Sequence, residues 1–405
     1  MTQTLKIGFL PLVDACLPIL AQEHGFAEDE GLSLEFVRDM SWATVLDRLL
    51  YGHTDAAHLL APLAIATTLG IGRPATPLVA PFVLGLNGNA ITLSSDLAAR
   101  ILPDQTATGL GDPRDIGDKL KSEALTAKAA GKRLRFGVVH RHSSHNYMLR
   151  YWLAECGIRP DEDVEIATVP PPFTAESLMA GEIDGSCVGE PWNSIAVDRG
   201  AGQIVLATAQ IWRRGVEKVL ALREDRFGEK RAPVEALIRA MRKAGAHFID
   251  PANWEVNARI LARPEYCDAP HDLILRAISD RLILQKGGKE HLFADFMFQH
   301  REAANFPWVS QAEWLYSQLV RWEAMDYDSQ AAETAARVFR PDVYRSALKG
   351  TGDELPGASS KVEGSLSTPL ATTAQEGSIT LNQNGFFDGS SFDPDQLESY
   401  ILSQK

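Results

Sequence analysis

Two stretches of this chain share one skeleton at a constant offset, and this repeat constrains the possible folds more than any other feature of the sequence. The first stretch carries Gly8, Gly52, Asp55 and Pro62, and the second carries the same residue types 129 positions later, at Gly137, Gly181, Asp184 and Pro191. In both stretches the matches fall at equivalent points of a strand and helix pattern. The chain is therefore expected to contain two α/β halves of similar construction.

Apolar runs and amphipathic segments give the predicted elements of each half. In the first half these are a strand at Lys6–Leu10, a helix at Cys16–His24, a strand at Leu34–Val37 and a helix at Trp42–Tyr51. In the second half they are a strand at Arg135–Val139, a helix at Asn146–Cys156, a strand at Val164–Thr168 and a helix at Ala175–Ala180. This alternation predicts an α/β fold with two mostly parallel sheets, hence two lobes, and a ligand cleft at the carboxyl ends of the strands.

The predicted domain limits follow from these halves and from the composition of the remaining chain. The first lobe comprises residues 1–95 and 220–346, the second comprises residues 96–219, and residues 347–405 form a loosely structured C-terminal tail. Helical periodicity without strand signals places helices on the first lobe at Pro233–Phe248, His271–Leu284 and Gln311–Met325. The tail is rich in Gly, Ser, Thr and Pro, although Leu397–Leu402 fits a short helix.

Charge and composition exclude some classes of function. The 405 residues carry a net charge of −13, which argues against broad nucleic-acid contact, because that contact depends on basic side chains. An anionic ligand must therefore be attracted by local positive groups. The N-terminal residues show no secretion-signal pattern, no apolar run approaches the roughly 18 residues of a membrane span, and the four cysteines form no CxxC pair. These features predict a cytoplasmic protein.

The clearest candidate site is the turn His140–His145, between a predicted strand and the helix that follows it. Backbone N–H groups and the helix dipole favour an anion at such a helix N-terminus. His145 can donate one hydrogen bond when neutral or carry a positive charge, and we favour it over His140 and His142. The alternative is a surface turn that happens to contain three histidines. A zinc site is disfavoured, because the spacings are short and neither Cys nor a carboxylate joins them.

Four other residues are candidates for the wall of a pocket. Gly189 lets a ligand approach the backbone closely, or simply belongs to a tight turn. Trp42, in the first turn of a predicted helix, can donate through its indole N–H, or pack in the core. Lys218 begins a predicted strand and supplies the positive charge that a buried anion requires, or is solvated. Asn87 precedes a glycine and can donate an amide hydrogen bond, or mark a turn.

Catalytic motifs are missing from the sequence. It contains no nucleophile elbow, GxGxxG pattern or Walker A motif, and Cys156 and Cys187 lie in apolar stretches without an activating neighbour. We therefore predict a ligand-binding protein that is not an enzyme and that has neither a cofactor nor a resident metal. An enzyme remains an alternative, which would require a reactive His or Cys and a bound organic cofactor.

Seven short strings of the sequence, each unspecific alone, are specific when taken together. They are Ile7–Asp14, Ser41–Ala43, Asn87–Thr92, Leu149–Ala154, Gly189–Trp192, Glu217–Ala221 and, in the tail, Phe386–Gly389. Together they resemble the nitrate- and bicarbonate-binding branch of the solute-binding proteins of ABC transporters, over about residues 5–345. The resemblance implies the two-lobed type II fold of periplasmic binding proteins, with a central ligand cleft.

The resemblance also implies a ligand and a set of binding residues. Nitrate binders of this branch hold the anion with a Trp, an amide, a His, a backbone Gly and a Lys, which correspond here to Trp42, Asn87, His145, Gly189 and Lys218. Those nitrate binders have Gln at the amide position, so Asn87 departs from the pattern. Bicarbonate binders carry an acid at the position of Lys218, so the lysine favours nitrate or nitrite.

Two biological roles fit this resemblance. Because the sequence shows neither a secretion signal nor a lipid-anchor cysteine, it is most similar to the cytoplasmic nitrate/nitrite sensors of the NasS type. That similarity implies that the ligand-free protein sequesters an RNA-binding antitermination regulator of the ANTAR class and releases it when nitrate binds. The protein itself would then contact neither nucleic acid nor membrane. The alternative is the nitrate-binding component of an ABC nitrate transporter.

Overall fold

The computed structural model of the chain describes residues 2–102 and 109–404. The strands are β1 (Gln3–Phe9), β2 (Leu32–Arg38), β3 (Ala56–Leu60), β4 (Leu78–Asn87), β5 (Asn89–Ser94), β6 (Leu134–Val138), β7 (Val164–Thr168), β8 (Gly185–Gly189), β9 (Gly202–Ala207), β10 (Val216–Arg223), β11 (Arg281–Ile283), β12 (Glu290–Leu292), β13 (Met297–Phe298), β14 (Leu370–Thr373) and β15 (Ser378–Leu381). The α-helices are α1 (Cys16–Glu23), α2 (Phe26–Asp29), α3 (Trp42–Leu50), α4 (Ala61–Leu69), α5 (Ser95–Ile101), α6 (Pro113–Ala129), α7 (Ser144–Glu155), α8 (Thr174–Met179), α9 (Trp192–Arg199), α10 (Thr208–Ile211), α11 (Glu224–Ile249), α12 (Trp254–Leu261), α13 (His271–Ile278), α14 (Val309–Trp322), α15 (Ser329–Val338), α16 (Pro341–Leu348) and α17 (Leu397–Ser403).

Two central sheets form the framework of two lobes. The first sheet has the strand order β13-β4-β10-β3-β1-β2, and the second has the order β7-β6-β8-β5-β9. β1 pairs in parallel with β2 and β3, and β6 pairs in parallel with β7 and β8. β10 in the first sheet and β5 in the second run antiparallel to both of their neighbours. The predicted two-lobed α/β architecture, with strands that mostly share one direction, is confirmed.

Hydrophobic cores cover both faces of the first sheet. In β10, Leu220 and Leu222 pack into one core, whereas Val219 and Ala221 pack into the other, because successive side chains of a strand point to opposite faces. Residues of α3 and α4 share the core of Val219, and residues of α1 and α11 share the core of Leu220. Burial on both faces is typical of sheets that are sandwiched between helices.

The repeat in the sequence corresponds to a repeat of backbone hydrogen bonds. The carboxylate of Asp55 accepts a hydrogen bond from the N–H of Lys6 at 2.9 Å, and the Asp55 N–H donates to the Lys6 carbonyl. Asp184 makes the same two bonds with Arg135, its carboxylate accepting at 2.8 Å. The register of β1 on β3 also recurs between β6 and β8. The two halves are therefore built on one plan.

The chain passes between the lobes at points that differ from the predicted limits. Residues 1–95 were assigned to the first lobe, but β5 already pairs within the second sheet, so the first crossing lies at Gly88, where φ is 86°. The return crossing lies between β9 and β10, because β10 joins the first sheet from Val216 onward and not from residue 220. The Asn-Gly turn signal at positions 87 and 88 is also what a hairpin within one lobe would show, so the sequence did not identify the first crossing.

Helices dominate residues 225–346, but three short strands interrupt them, contrary to the prediction. The predicted helix at His271–Leu284 is divided into α13 and β11, and β11 pairs with β12. Between α13 and β11, Asp280 adopts a positive φ of 58°, and its carboxylate accepts two backbone N–H groups of the segment that leads into β13. β13 then joins the edge of the first sheet beside β4. Of the described helices, none is long and apolar enough to cross a membrane.

The C-terminal segment packs onto both lobes, which corrects the prediction of a loosely structured tail at residues 347–405. The ring of Phe386 stacks on Trp212 with a centroid distance of 5.0 Å, and Tyr151 of α7 donates a hydrogen bond to Asp388 at 2.9 Å. β14 and β15 form a hairpin, and the short helix predicted near the end is present as α17. Isolated aromatic anchors hold much of this segment, and such anchors leave no periodic pattern in a sequence.

Candidate functional site: a polar cluster between the lobes

A group of polar side chains lies buried where the two lobes face each other. We call this group the polar cluster, and its members are Asp14, Trp42 and His58 from the first lobe, Asn89, Ser144, His145 and Gly189 from the second, and Glu217 and Lys218 on β10. All nine residues are buried. The cluster is therefore closed off from solvent, and a ligand can enter only if the lobes move apart.

The ammonium of Lys218 is already paired inside the cluster. Its Nζ lies 2.6 Å from Oδ2 of Asp14 and 2.8 Å from Oε1 of Glu217. Burial favours the neutral amine, but the two carboxylates outweigh it and raise the pKa of Lys218. Burial also opposes ionisation of Asp14, yet Lys218 and His58 hold the pKa of this carboxyl below its usual range. The sequence predicted a lone positive charge, whereas the structure contains a lysine that two carboxylates neutralise.

A β-bulge explains why two successive residues of β10 face one cluster. Side chains alternate along a regular strand, so Glu217 and Lys218 would point to opposite faces of the sheet. Val216 and Lys218, however, pair with two consecutive residues of β4, which leaves Glu217 as an extra residue in the ladder. A bulge of this kind re-aims a side chain, and here it directs the Glu217 carboxylate into the cluster.

Glu217 accepts hydrogen bonds from both lobes. Its Oε2 accepts from Oγ of Ser144 and from Nδ2 of Asn89, both at 2.6 Å. Its Oε1 accepts from Nζ of Lys218 at 2.8 Å and lies 3.2 Å from Nδ1 of His145. Burial works against the charged form of Glu217, but the neighbouring imidazole, ammonium and hydroxyl lower its pKa below the usual value. Glu217 is therefore a carboxylate at neutral pH.

His145 is the second residue of α7, slightly inside the helix that was predicted to follow it. Ser143 caps this helix, and its Oγ accepts the N–H of Asn146 at 3.1 Å. Burial lowers the pKa of His145 to about 4, although Glu217 acts in the opposite direction. The ring is therefore neutral at pH 7 and carries one N–H. Neither ring nitrogen has a hydrogen-bond partner among the described residues.

Trp42 begins α3, and Ser41 caps the helix as predicted, because its Oγ accepts the N–H of Thr44 at 3.2 Å. The indole ring lies 5.2 Å from the ring of His58 and 5.6 Å from Nζ of Lys218. Its Nε1 is buried and has no hydrogen-bond partner in the described part of the chain. A buried donor without an acceptor costs about 1–3 kcal/mol, so this N–H is a place where a ligand would be stabilised.

The amide predicted at Asn87 is committed to the backbone at the lobe crossing. Asn87 adopts a left-handed φ of 63°. Its Nδ2 donates to the carbonyls of Arg213 and Asp295, and its Oδ1 accepts the N–H of Gly215. Both amide hydrogens are thus used to join chain segments, and neither is left for an anion. Asn89, two residues later, lies in the polar cluster instead.

Gly189 ends β8 beside the cluster, where space is narrow. A Cβ added there would lie 3.1 Å from Oδ1 of Asn89 and 3.1 Å from Leu12, and 3.8 Å from a carboxylate oxygen of Asp14. A side chain at this position would therefore press on groups of the cluster. Glycine is required here for close packing of the protein's own side chains, whereas the role suggested by the sequence, close approach of a ligand, stays a prediction.

The other two histidines of the predicted turn lie outside the cluster. The ring of His140 accepts the N–H of His142, and the ring of His142 lies 3.6 Å from Glu323, which caps the end of α14. Arg141 also pairs with Glu323. This part of the turn therefore connects the second lobe to α14.

The thiols offer no nucleophile. Burial raises the pKa of Cys187, and it raises the pKa of Cys156 to about 11, although Arg114 counteracts part of that effect. A thiol with a raised pKa remains protonated at neutral pH and is a poor nucleophile. The arrangement around the cluster suits reversible binding of a small polar ligand.

Sequence reasoning missed several members of the cluster, which are Asp14, His58, Asn89, Ser144 and Glu217. Two of them carried a usable signal, because His58 and Glu217 are polar residues inside otherwise apolar strands. A polar residue in such a run is either paired or functional. Asp14 follows the carboxyl end of β1, where ligands of α/β proteins commonly bind.

Two α/β lobes with a closed polar cluster between them define a solute-binding protein with the type II fold of periplasmic binding proteins. The chain belongs to the NMT1-like family, whose profile matches residues 1–262. This family assignment covers all of the second lobe and most of the first.

Known relatives agree with this class. The crystal structure of the periplasmic nitrate-binding protein NrtA from Synechocystis superimposes with a TM-score of 0.85 at 25% identity, and the match covers 100% of this chain and 99% of that one. The nitrate/nitrite binding protein NrtA of Nostoc sp. is 29% identical over 100% of this chain and 86% of its own length. The nitrate import ATP-binding protein NrtC of Synechocystis sp. is 33% identical over 86% of this chain, which spans only 50% of the length of NrtC. The chain is thus a binding protein and not an enzyme.

Proposed function

We propose that this chain binds nitrate or nitrite in the polar cluster and serves as the solute-binding component of an ABC-type importer. The observation that carries the proposal is a pair of buried nitrogens without partners in the described chain, Nε1 of Trp42 on the first lobe and Nε2 of His145 on the second. The ammonium of Lys218 lies within 5.6 Å of the same indole ring. The relatives support a small oxyanion as the ligand, because the three described above are named for binding or importing nitrate, and others at 33–34% identity over 86% of this chain are named for bicarbonate transport.

Three of the proposed binding residues have distinct tasks. Lys218 supplies the positive charge, while Trp42 and the neutral ring of His145 each donate one N–H to an oxygen of the anion. Charge-assisted hydrogen bonds contribute about 1.5–3 kcal/mol each. Three or four of them contribute about 5–12 kcal/mol before the cost of ordering is subtracted, and micromolar binding corresponds to a net value of about −8 kcal/mol.

Two further residues shape the proposed site. Gly189 brings the backbone of β8 next to the cluster, where an added Cβ would press on Asn89 and Leu12. Asn89 takes the amide role that the sequence assigned to Asn87, because the amide hydrogens of Asn87 are already donated to backbone carbonyls. The amide that corresponds in role to the Gln of similar nitrate binders is therefore that of Asn89, which faces the cluster.

The ammonium at position 218 favours nitrate and nitrite over bicarbonate. Bicarbonate binders similar to this chain carry an acid at the position of Lys218, and the replacement reverses the charge beside the ligand. Bicarbonate, unlike nitrate, has a hydroxyl group, and this group can donate a hydrogen bond to the carboxylate of Asp14 or Glu217. Bicarbonate is therefore the most informative competing ligand in a binding test.

Isothermal titration calorimetry with sodium nitrate, nitrite and bicarbonate tests the proposal. Trp42→Phe removes only the indole N–H and is expected to weaken nitrate binding about tenfold or more, the value of one charge-assisted hydrogen bond. The matched control is Trp152→Phe, because its Nε1 donates to the carbonyl of Pro113 in the second lobe, outside the cluster. Equal nitrate affinities of Trp42→Phe and the wild type would exclude the proposed site.

The regulator-sequestering role in the cytoplasm stays a prediction. The relatives are binding and transport proteins, and one of them is periplasmic, so they favour the importer component. As a sensor, the chain would present one lobe arrangement to an ANTAR-type regulator and another when the anion closes the cleft. A pull-down of the native complex with and without nitrate separates the roles. An RNA-binding regulator that nitrate releases would support the sensor, and permease subunits would support the importer.

A further inference from the structure

We propose that the carboxylate of Glu217 is a built-in competitor for the anion: it occupies the place of a planar oxyanion in the closed molecule and thereby limits which anions bind and how tightly. The inference rests on the anion-binding function proposed above, and it adds a residue that sets the affinity and selectivity of that site. Glu217 enters the cluster only because of the bulge in β10.

The contacts of Glu217 are those of a bound anion. A carboxylate is planar, carries one negative charge and presents two oxygens, as nitrite does. One oxygen accepts from Ser144 and Asn89 of the second lobe, and the other accepts from Lys218. The Nδ1 of His145 lies 3.2 Å from the second oxygen. These are donors of the kind that an external oxyanion would require, and they converge from both lobes on an internal one.

Neutralising Lys218 does not by itself require Glu217. Asp14 lies closer to the ammonium, at 2.6 Å against 2.8 Å, and an Asp14–Lys218 pair is already balanced in formal charge. Asp14 contacts Lys218 and also His58, whose Nε2 lies 2.9 Å from Oδ1 of Asp14. Glu217 instead accepts two hydrogen bonds from the second lobe. It thus occupies donors that are not needed to neutralise Lys218, as a competitor for those donors would.

The competitor has a consequence for selectivity. An external anion gains the donors only after the Glu217 carboxylate gives them up, so its affinity is lower than the donors alone would provide. Small carboxylates such as formate offer nothing that Glu217 does not already supply, and the wild-type site is expected to exclude them. Removal of the side chain leaves a carboxylate-sized space lined by the same donors.

The experiment compares the binding of formate and of nitrate to the full chain and to three variants by calorimetry. Glu217→Ala is expected to bind both anions about tenfold tighter than the wild type or more, and Glu217→Gln, which keeps the shape but not the charge, to show a smaller gain. The comparison variant is Asp14→Asn, which removes the same formal charge from beside Lys218 but leaves Glu217 on its donors. Its gain for either anion is expected to be clearly smaller than that of Glu217→Ala, because Glu217 still accepts from Ser144 and Asn89. Thermal unfolding confirms that each variant is folded.

The outcomes separate this inference from the proposed function. Equal gains in Asp14→Asn and Glu217→Ala would mean that only net charge matters, and would overturn the competitor. The absence of a gain for either anion in both Glu217 variants would overturn it as well, whatever the nitrate affinity of the wild type. If the wild type does not bind nitrate but Glu217→Ala binds formate tightly, the result would support Glu217 as a competitor and would reject nitrate as the ligand.

Discussion

The two halves of the molecule share a backbone plan but bring different chemistry to the cleft. At positions 129 residues apart, Asp14 of the first half corresponds to Ser143 of the second, and His58 on β3 corresponds to Cys187 on β8. All four are buried. The first half thus supplies an acid and an imidazole where the second supplies a hydroxyl and a thiol. The repeat therefore determines the backbone arrangement of both halves, whereas the charged groups of the cleft come from the first lobe.

The largest effect is expected from removing the ammonium that balances the acidic side. Lys218→Met removes the ammonium from the buried carboxylates of Glu217 and of Asp14, which keeps only His58 beside it, and breaking a buried pair in this way costs about 3–5 kcal/mol. Urea unfolding monitored by circular dichroism measures the loss. The control is Lys128→Met in the second half, a half-exposed partner of Asp163, with an expected cost below about 1 kcal/mol. Similar losses of stability in both variants would contradict the conclusion that the charged groups of the cleft come from the first lobe.

The next prediction concerns the pH dependence of stability, to which His145 of the second half and Asp14 of the first half contribute differently. The pKa of His145 lies at about 4 in the folded protein against its usual 6.5, so the unfolded chain binds the proton first and stability falls as the pH drops between these values. The pKa of Asp14 is lowered, so its contribution is present above about pH 4 and is lost below it. His145→Asn is expected to reduce the stability lost between pH 7 and pH 4.5 by about 2–3 kcal/mol. Urea titrations across this range test the effect, and curves parallel to wild type would refute it.

Patterns of neighbouring residues predicted the limits of several strands and helices well. The strand at Val164–Thr168 has the predicted limits, and Ser41 caps α3 as expected from its position before an amphipathic run. Gly25 and Gly52 both adopt left-handed φ after the helices that they end. These features depend on neighbouring residues only, so a sequence contains all the information that is needed to find them.

The site was predicted less completely because its details depend on contacts between distant segments. Asn87 and Asn89 look alike in sequence, and the left-handed turn at the crossing decides which amide faces the cluster. Glu217 was overlooked because alternation along a strand points it away from Lys218, and only pairing with β4 reveals the bulge. The ion pair of Asp14 with Lys218 joins residues 204 positions apart. No local pattern contains that information.

A smaller effect tests the equivalence of the two frames. Asp55→Ala and Asp184→Ala each remove a carboxylate that accepts the N–H of a central strand, and each is expected to cost about 2 kcal/mol. The two losses should agree within about 0.5 kcal/mol, because the geometry repeats and only Asp55 has an additional surface partner, Lys230, at 3.2 Å. Urea unfolding of both variants in one buffer measures the difference. A loss of stability in only one of the two variants would show that the halves share the geometry of this hydrogen bond but not its contribution to stability.

The smallest effect concerns two helix caps that share a residue type but differ in burial. Ser41 caps α3 at the surface, so water can replace its hydroxyl, and Ser41→Ala is expected to cost about 0.5–1 kcal/mol. Ser143 caps α7 in the interior, and its Oγ also donates to the carbonyl of His140 at 2.7 Å. Ser143→Ala leaves both groups without that partner and is expected to cost about 1 kcal/mol more than the surface cap. Urea unfolding of the two variants measures this gap. Equal losses would mean that water reaches the N-terminus of α7, and the second lobe would then be open at the place where His145 enters the cluster.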